Sequence, residues 1–258
     1  MKSINTVLIM SFLKGKTMST SNTNENTKPL GARLGEGFFC IFYLIFVFTA
    51  VFILWNKGTN ASSDTAKYRY GLGMMMALIL GCGDAFHLIP RIIVNFKGSL
   101  KHQEIFLGTG NLISSISMTI YYLVMVVMCD TIVTGNANYE INYEIERAII
   151  ILAIIRILLC FFPQNNWFKK EGSKIWAIIR NVPFSIIGIL MIILLIEAAG
   201  ITTIYSKAFY IQLAVSVFLS FAFYLPVAIW GREKPKLGML MIPKTICYIW
   251  MLLVILLV

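Results

Sequence analysis

Residues 37–55 read GFFCIFYLIFVFTAVFILW, nineteen consecutive residues without a charged side chain. A block of about 20 apolar residues is what an α-helix needs to cross the hydrocarbon core of a bilayer. Similar blocks recur along the chain, and 58% of its 258 residues are hydrophobic while only 13% are charged. Because a soluble domain carries about 25% charged residues, the sequence indicates an integral membrane protein, which we expect in the plasma membrane.

The apolar blocks predict an all-α bundle of seven transmembrane helices. The expected spans are about 37–55, 71–94, 105–130, 147–163, 182–198, 208–230 and 239–258. Residues 1–36 are expected to form a disordered cytoplasmic tail, because residues 17–29 are rich in Ser, Thr and Asn, and Met18 is an alternative start. The loops are too short for a soluble domain.

The basic residues predict the orientation of the bundle. With the N-terminus inside, fifteen Lys and Arg fall in the inner segments and five in the outer loops, and the remaining two of the 22 lie within spans. Since basic residues near short loops are retained on the cytoplasmic side, we expect the N-terminus inside and the C-terminus outside. The net charge of +10 then serves to contact anionic lipid headgroups, and we expect no nucleic acid partner.

The second span begins with small residues at a regular spacing. Gly73, Ala77 and Gly81 recur every fourth residue, a pattern that lets two transmembrane helices approach closely. We expect this face to pack against a neighbouring helix, or against a second copy of the chain in a homo-oligomer.

The same face continues into ionisable residues. At 100° per residue, Asp84, His87 and Arg91 follow the small residues on one side of the helix. A carboxylate in hydrocarbon requires a partner, and the candidates are His87, Arg91 and Arg156, a cation inside the fourth span that we expect at a similar depth to Asp84. Two interpretations stay open: an ion pair that only joins two helices, or a ligand site in which Asp84 and His87 carry out proton chemistry.

Further polar residues are expected near this site. In the third span Asn111, Ser115, Thr119 and Tyr122 share one arc of the helix. We expect Asn111 to lie at the depth of His87 and to join the ligand site, although such residues also serve as ordinary interhelical contacts.

A second group of cations is expected to border the cavity. Arg91, Arg156, Arg180 and Lys244 are candidates for a cationic rim suited to a phosphate or a carboxylate. Contact of the basic loops with phospholipid, and extension of Lys244 towards the membrane surface, are the alternatives.

Neither a metal nor a cofactor is expected. The five cysteines are scattered singly through apolar runs, and the chain has only two histidines, His87 and His102. No glycine-rich loop follows a strand, so a nucleotide site is not predicted either.

The leading functional hypothesis is a protein that binds or transports a small anionic or amphipathic ligand through a pocket built from Asp84, His87, Arg91, Asn111 and Arg156, in a proton-linked form if Asp84 and His87 exchange protons. The first alternative is an intramembrane enzyme acting on lipid, with His87 as base, Asp84 orienting it, and an arginine stabilising the developing charge. The second alternative is a structural or accessory subunit.

Overall fold

The structure, a computed structural model, describes residues 30–97, 103–134, 142–169, 172–201, 206–231 and 233–257. These ranges are helical apart from short connections, and they contain no strand. The seven long helices are α1 Leu30–Thr59, α2 Asp64–Lys97, α3 Gln103–Thr134, α4 Tyr143–Phe161, α5 Lys174–Ile201, α6 Lys207–Trp230 and α7 Met241–Leu256. Two 3-10 turns, Pro163–Asn165 and Pro235–Leu240, precede α5 and α7.

Six of these helices are long and apolar enough to cross a membrane. They are α1, α2, α3, α5, α6 and α7, the last together with part of the turn before it. Helix α4 differs because its nineteen residues include Glu144, Glu146, Arg147 and Arg156. The prediction of an all-helical membrane protein is therefore confirmed, with six helices of spanning character.

The first helix begins earlier than the sequence predicts. Residues 30–36, which we assigned to a disordered tail, form the first turns of α1, while residues 1–29 lie outside the described part of the chain. The Nη2 atom of Arg33 donates hydrogen bonds of 3.0 Å to the carbonyls of Val94 and of Asn95 on α2. Contacts to a neighbouring helix thus stabilise a segment that is not apolar enough to be recognised from hydropathy.

The helices form a closed ring in chain order. Each helix packs against the next, α7 returns to contact α1 and α2, and α3 also packs against α5. We call the end where α1 begins the basic end, and the end where α1 finishes the distal end. At the distal end Lys57 donates a hydrogen bond of 2.6 Å to the carbonyl of Leu256, which joins α1 to the last turn of α7.

The apolar core occupies the distal half of the ring. Fully buried side chains from all seven helices pack there, among them Leu54, Met125, Ile149 and Met251. The expected face of small residues lies in this core: a Cβ on Gly73 would meet Ile255 of α7, and one on Gly81 would meet Val47 of α1. A second copy of the chain would have to displace these internal contacts in order to bind through that face.

Candidate functional site

All seven helices contribute polar or ionisable side chains to one level of the bundle, where the apolar core ends towards the basic end. We call this set the polar layer. Its members are Tyr43, Asp84, Ser114, Thr119, Arg156, Asn181, Tyr224 and Lys244.

Asp84 is held by two hydroxyl groups. Tyr43 of α1 donates a hydrogen bond of 2.7 Å to one carboxylate oxygen, and Ser114 of α3 donates one of 3.0 Å to the other. The ion pair that we considered with Arg156 is not formed. Helix α3 packs against both α2 and α4 and separates the two side chains, so a similar depth in sequence did not bring them together.

Arg156 lies deep in the bundle, and its side chain is only 1% exposed. Its Nη1 atom donates a hydrogen bond of 2.6 Å to Thr119, and its Cζ atom lies 3.3 Å from the ring centroid of Phe184. Its Nε atom is buried without a hydrogen-bond partner. Within the described ranges no carboxylate lies within ion-pair distance of this guanidinium.

Lys244 joins the other groups of the polar layer. Its Nζ atom lies 4.8 Å from the ring centroid of Tyr224 and 5.3 Å from that of Tyr248. Tyr224 in turn donates a hydrogen bond of 2.9 Å to the side-chain oxygen of Asn181. Tyr224 therefore links Lys244 of α7 to Asn181 of α5.

His87 lies one turn beyond Asp84 but does not pair with it through Nδ1, which is buried without a hydrogen-bond partner. Arg91 is engaged elsewhere: its Nε atom lies 2.7 Å from the carboxylate of Glu36 on α1. Asp84 therefore does not orient His87 through a hydrogen bond to Nδ1, as we had considered. Both oxygens of the Asp84 carboxylate already accept hydrogen bonds from other residues.

Two further predicted residues make contacts outside the polar layer. Asn111 is exposed, and its backbone carbonyl accepts a hydrogen bond of 2.8 Å from Ser115. Arg180 packs over the ring of Trp167 at 4.2 Å and donates a hydrogen bond of 2.8 Å to Asn165. The Asn165 amide in turn donates to the carbonyl of Leu159 in α4 and to that of Phe162 just after it, so the Arg180 contact supports the turn between α4 and α5.

The burial pattern changes at the polar layer. On the distal side, α3, α6 and α7 alternate between fully buried and exposed residues, as expected for helices with one face in a core. On the basic side, residues 112–117 of α3, 223–229 of α6 and 241–245 of α7 are all half-buried. Seven consecutive residues cover nearly two turns, so the side of α6 that faces the bundle is partly accessible as well.

Several members of the polar layer were not predicted as site residues. Tyr43 lies in an uninterrupted apolar run, where a tyrosine is typical of a core. Asn181 closely precedes Pro183, a pattern typical of a helix cap, whereas both are buried inside α5. A usable signal was present for Tyr224, because an aromatic ring on one span and a cation such as Lys244 at a matching depth on the next span form a frequent pair in proteins.

The described residues contain no group of three or more His, Cys, Asp or Glu that could hold a metal ion. The site is therefore characterised by two cations, one carboxylate, several hydroxyl groups and aromatic rings. Comparisons of the chain with protein-family models, with curated proteins and with solved structures give no match.

Proposed function

We propose that the protein binds a small anionic or amphipathic ligand in a crevice that opens at the basic end and ends at the polar layer, and that it carries this ligand into or across the membrane. The observation that supports this most is Arg156, which is buried, has no carboxylate within ion-pair distance among the described residues and has an Nε donor without a hydrogen-bond partner.

An uncompensated cation inside a membrane protein is costly. Transferring a charge out of water costs several kcal/mol unless a counter-charge and hydrogen bonds replace the lost hydration. Thr119 and the Phe184 ring supply a hydroxyl oxygen and a π face to Arg156, but neither carries a negative charge. An anion that accepts from Nε would supply the missing charge, and guanidinium groups bind carboxylates and phosphates in this way.

The accessibility of the basic half supports a route to this anion site. Lys244 is half-buried and lies near the rings of Tyr224 and Tyr248. The half-buried runs of α3, α6 and α7 lie on the same side of the polar layer. The crevice would thus bring a ligand from the basic end to Lys244 and then to Arg156.

The proposal includes seven membrane crossings, with the basic end in the cytoplasm. Helix α4 packs between α3 and α5 and leaves Ile151, Ile154 and Leu158 more than half exposed, which suits contact with lipid. Its charged residues at 144–147 lie in its first turns, at the distal end, and Arg156 is covered by protein. Lysines at the basic end would contact anionic headgroups.

Binding can be tested on protein purified in nanodiscs of neutral lipid. Octanoate and inorganic phosphate serve as probes, with octanol as the neutral analogue of octanoate. We expect at least one anion to raise the thermal unfolding temperature, because a ligand that binds only the folded state stabilises it, while octanol does not. Arg156→Gln should abolish the shift.

Arg147→Gln is the matched control, since Arg147 is on the same helix but its side chain is 70% exposed at the distal end. Arg156→Lys, which keeps the charge but loses the planar fork, covers the case in which Arg156→Gln fails to fold. If neither anion shifts the unfolding temperature of the wild-type protein, the proposal is wrong.

A lipid-modifying enzyme is the less favoured alternative. It requires a base oriented by Asp84, whose two oxygens accept hydrogen bonds from Tyr43 and Ser114. Incubation of the purified protein with lipid, followed by analysis of the products, tests this alternative independently.

A further inference from the structure

We infer that the hydroxyl group of Tyr122 is a second donor of the proposed Arg156 site, and that the ligand group bound there is a carboxylate. This inference rests on the proposed function and specifies its ligand class. The observation behind it is a pair of buried donor atoms, Arg156 Nε and Tyr122 Oη, that have no hydrogen-bond partner among the described residues and whose side chains pack on one phenyl ring.

Tyr122 is fully buried in α3. Its hydroxyl oxygen is without a hydrogen-bond partner in the described part of the chain. A buried hydroxyl that makes no hydrogen bond is unfavourable, and buried tyrosines usually have a partner for this group. A phenylalanine would fill the same space without the cost, so the hydroxyl is a candidate for a binding role.

Tyr122 and Arg156 share two neighbours. Thr119, one turn before Tyr122 on α3, accepts the hydrogen bond of 2.6 Å from Arg156 Nη1. The ring centroid of Phe184 lies 3.3 Å from Arg156 Cζ and 5.5 Å from the ring centroid of Tyr122, which places the Tyr122 ring no more than 8.8 Å from the guanidinium carbon. The two side chains are therefore close enough for one ligand group to contact both.

The surroundings of the two donors favour a carboxylate over a phosphate. Tyr122, Phe184 and Phe221 pack against one another with ring centroids 4.8–5.6 Å apart, so aromatic carbon borders the donors. A carboxylate shares one charge between two oxygens and offers one oxygen to each donor. A phosphate monoester has three strong acceptor oxygens and close to two charges at neutral pH, and oxygens buried against rings without a donor are unfavourable.

The partly accessible side of α6 leads towards this site. Tyr224 belongs to the half-buried run 223–229, and its ring contacts that of Phe184 edge-on at 5.9 Å. Phe184 therefore contacts Arg156 and also the wall of the proposed crevice. An amphipathic carboxylate that enters along α6 would pass Tyr224 before it reaches the two donors.

Titration calorimetry in nanodiscs of neutral lipid tests both parts of the inference, with the heat from empty nanodiscs subtracted. Octanoate and octyl phosphate have the same eight-carbon chain but differ in the anionic group. We expect the wild-type protein to bind octanoate at least about tenfold more tightly than octyl phosphate. Tyr122→Phe should weaken octanoate binding at least about tenfold, because a hydrogen bond to a charged group is lost.

The stability of ligand-free Tyr122→Phe separates a binding role from a structural one. Its thermal unfolding temperature should stay the same or rise, since the substitution removes a buried hydroxyl that has no partner. Tyr121→Phe is the matched control, because Tyr121 is the adjacent residue and is equally buried, but its hydroxyl already donates to the Met251 sulfur at 3.5 Å. This control should leave the affinity for octanoate unchanged.

Several results would overturn the inference while leaving the proposed function intact. They are an unchanged affinity of Tyr122→Phe for octanoate, an affinity for octyl phosphate equal to that for octanoate, and binding of inorganic phosphate without binding of octanoate. A lowered unfolding temperature of ligand-free Tyr122→Phe would also overturn it, because the hydroxyl would then have a protein partner such as Ser220 or Tyr248, its polar neighbours. Failure of the proposed function differs from all of these, since no anion would then bind to the wild-type protein.

Discussion

The two halves of the bundle are built from the same helices but packed differently. In the distal half, most side chains of α3, α6 and α7 are either buried or exposed on the outside, and the buried ones belong to one apolar core. In the basic half, long runs of α3, α6 and α7 are half-buried, and polar groups occupy the boundary. The difference indicates that packing in the distal half stabilises the fold. The basic half can be more open because the fold does not depend on its packing.

Thiol labelling should give the largest contrast between the halves. Val217 and Ala228 lie eleven residues apart on α6, about three turns, and therefore on the same face. Val217 is fully buried, whereas Ala228 is half-buried. In a Cys82→Ala background, a water-soluble anionic methanethiosulfonate should modify Ala228→Cys readily and Val217→Cys not at all, since only an accessible, ionisable thiol reacts.

The Cys82→Ala protein without an added cysteine is the control for this measurement. Cys82 is exposed, and the other four cysteines are buried, so the Cys82→Ala protein should remain unlabelled when analysed by mass spectrometry. Equal labelling of the two new cysteines, or none at Ala228→Cys, would remove the distinction between the halves and with it the support for a crevice.

The basic half also contains tight contacts, and a pair of glycine substitutions measures one of them. A Cβ on Gly110 of α3 would lie 2.6 Å from the Cα atom and 2.9 Å from the backbone nitrogen of His87 on α2. Because backbone cannot move aside cheaply, Gly110→Ala should destabilise the protein by about 1–3 kcal/mol. The measurement is reversible unfolding in mixed micelles.

Gly71→Ala is the matched control on α2, since a Cβ there has no neighbour within 4 Å. It should be neutral or stabilise the protein by up to about 1 kcal/mol, because alanine favours the helix more than glycine does. A neutral Gly110→Ala would mean that α2 and α3 can separate at His87, and that the basic half is looser than this contact implies.

The helices were predictable because each follows from local composition. A run such as 37–55 has only one way to satisfy its backbone in lipid, so hydropathy identified α1, α2, α3, α5, α6 and α7. The start of α1 was missed for the same reason, because Arg33 and Glu36 are not apolar. Contacts with α2 hold them in place, and contacts between residues far apart in the sequence cannot be recognised from local composition.

The site was less predictable because it depends on which helices are neighbours. Sequence depth placed Asp84 and Arg156 at one level, and both belong to the polar layer. Helical periodicity does not reveal that α3 separates them, or that Tyr43 and Ser114 provide the donors to Asp84. For Lys244, two interpretations fitted the sequence equally well, and only the positions of Tyr224 and Tyr248 favour the inner one.

Tyr43→Phe should give the smallest effect on stability. Because Tyr43 belongs to the apolar core yet donates a hydrogen bond to Asp84 in the polar layer, this substitution tests the boundary between the two halves. We expect a loss of about 1 kcal/mol, as for other hydrogen bonds inside membrane proteins. Tyr143→Phe, on a half-exposed side chain, should change nothing. The size of the loss in stability shows whether water reaches Asp84. If the crevice extends to Asp84, water replaces the missing hydroxyl and limits the loss. If the boundary is dry, a carboxylate oxygen is left without a hydrogen bond and the loss rises to about 2–3 kcal/mol. A loss in that higher range would mean that the open half ends before Asp84, and the ligand site would have to lie nearer to the basic end.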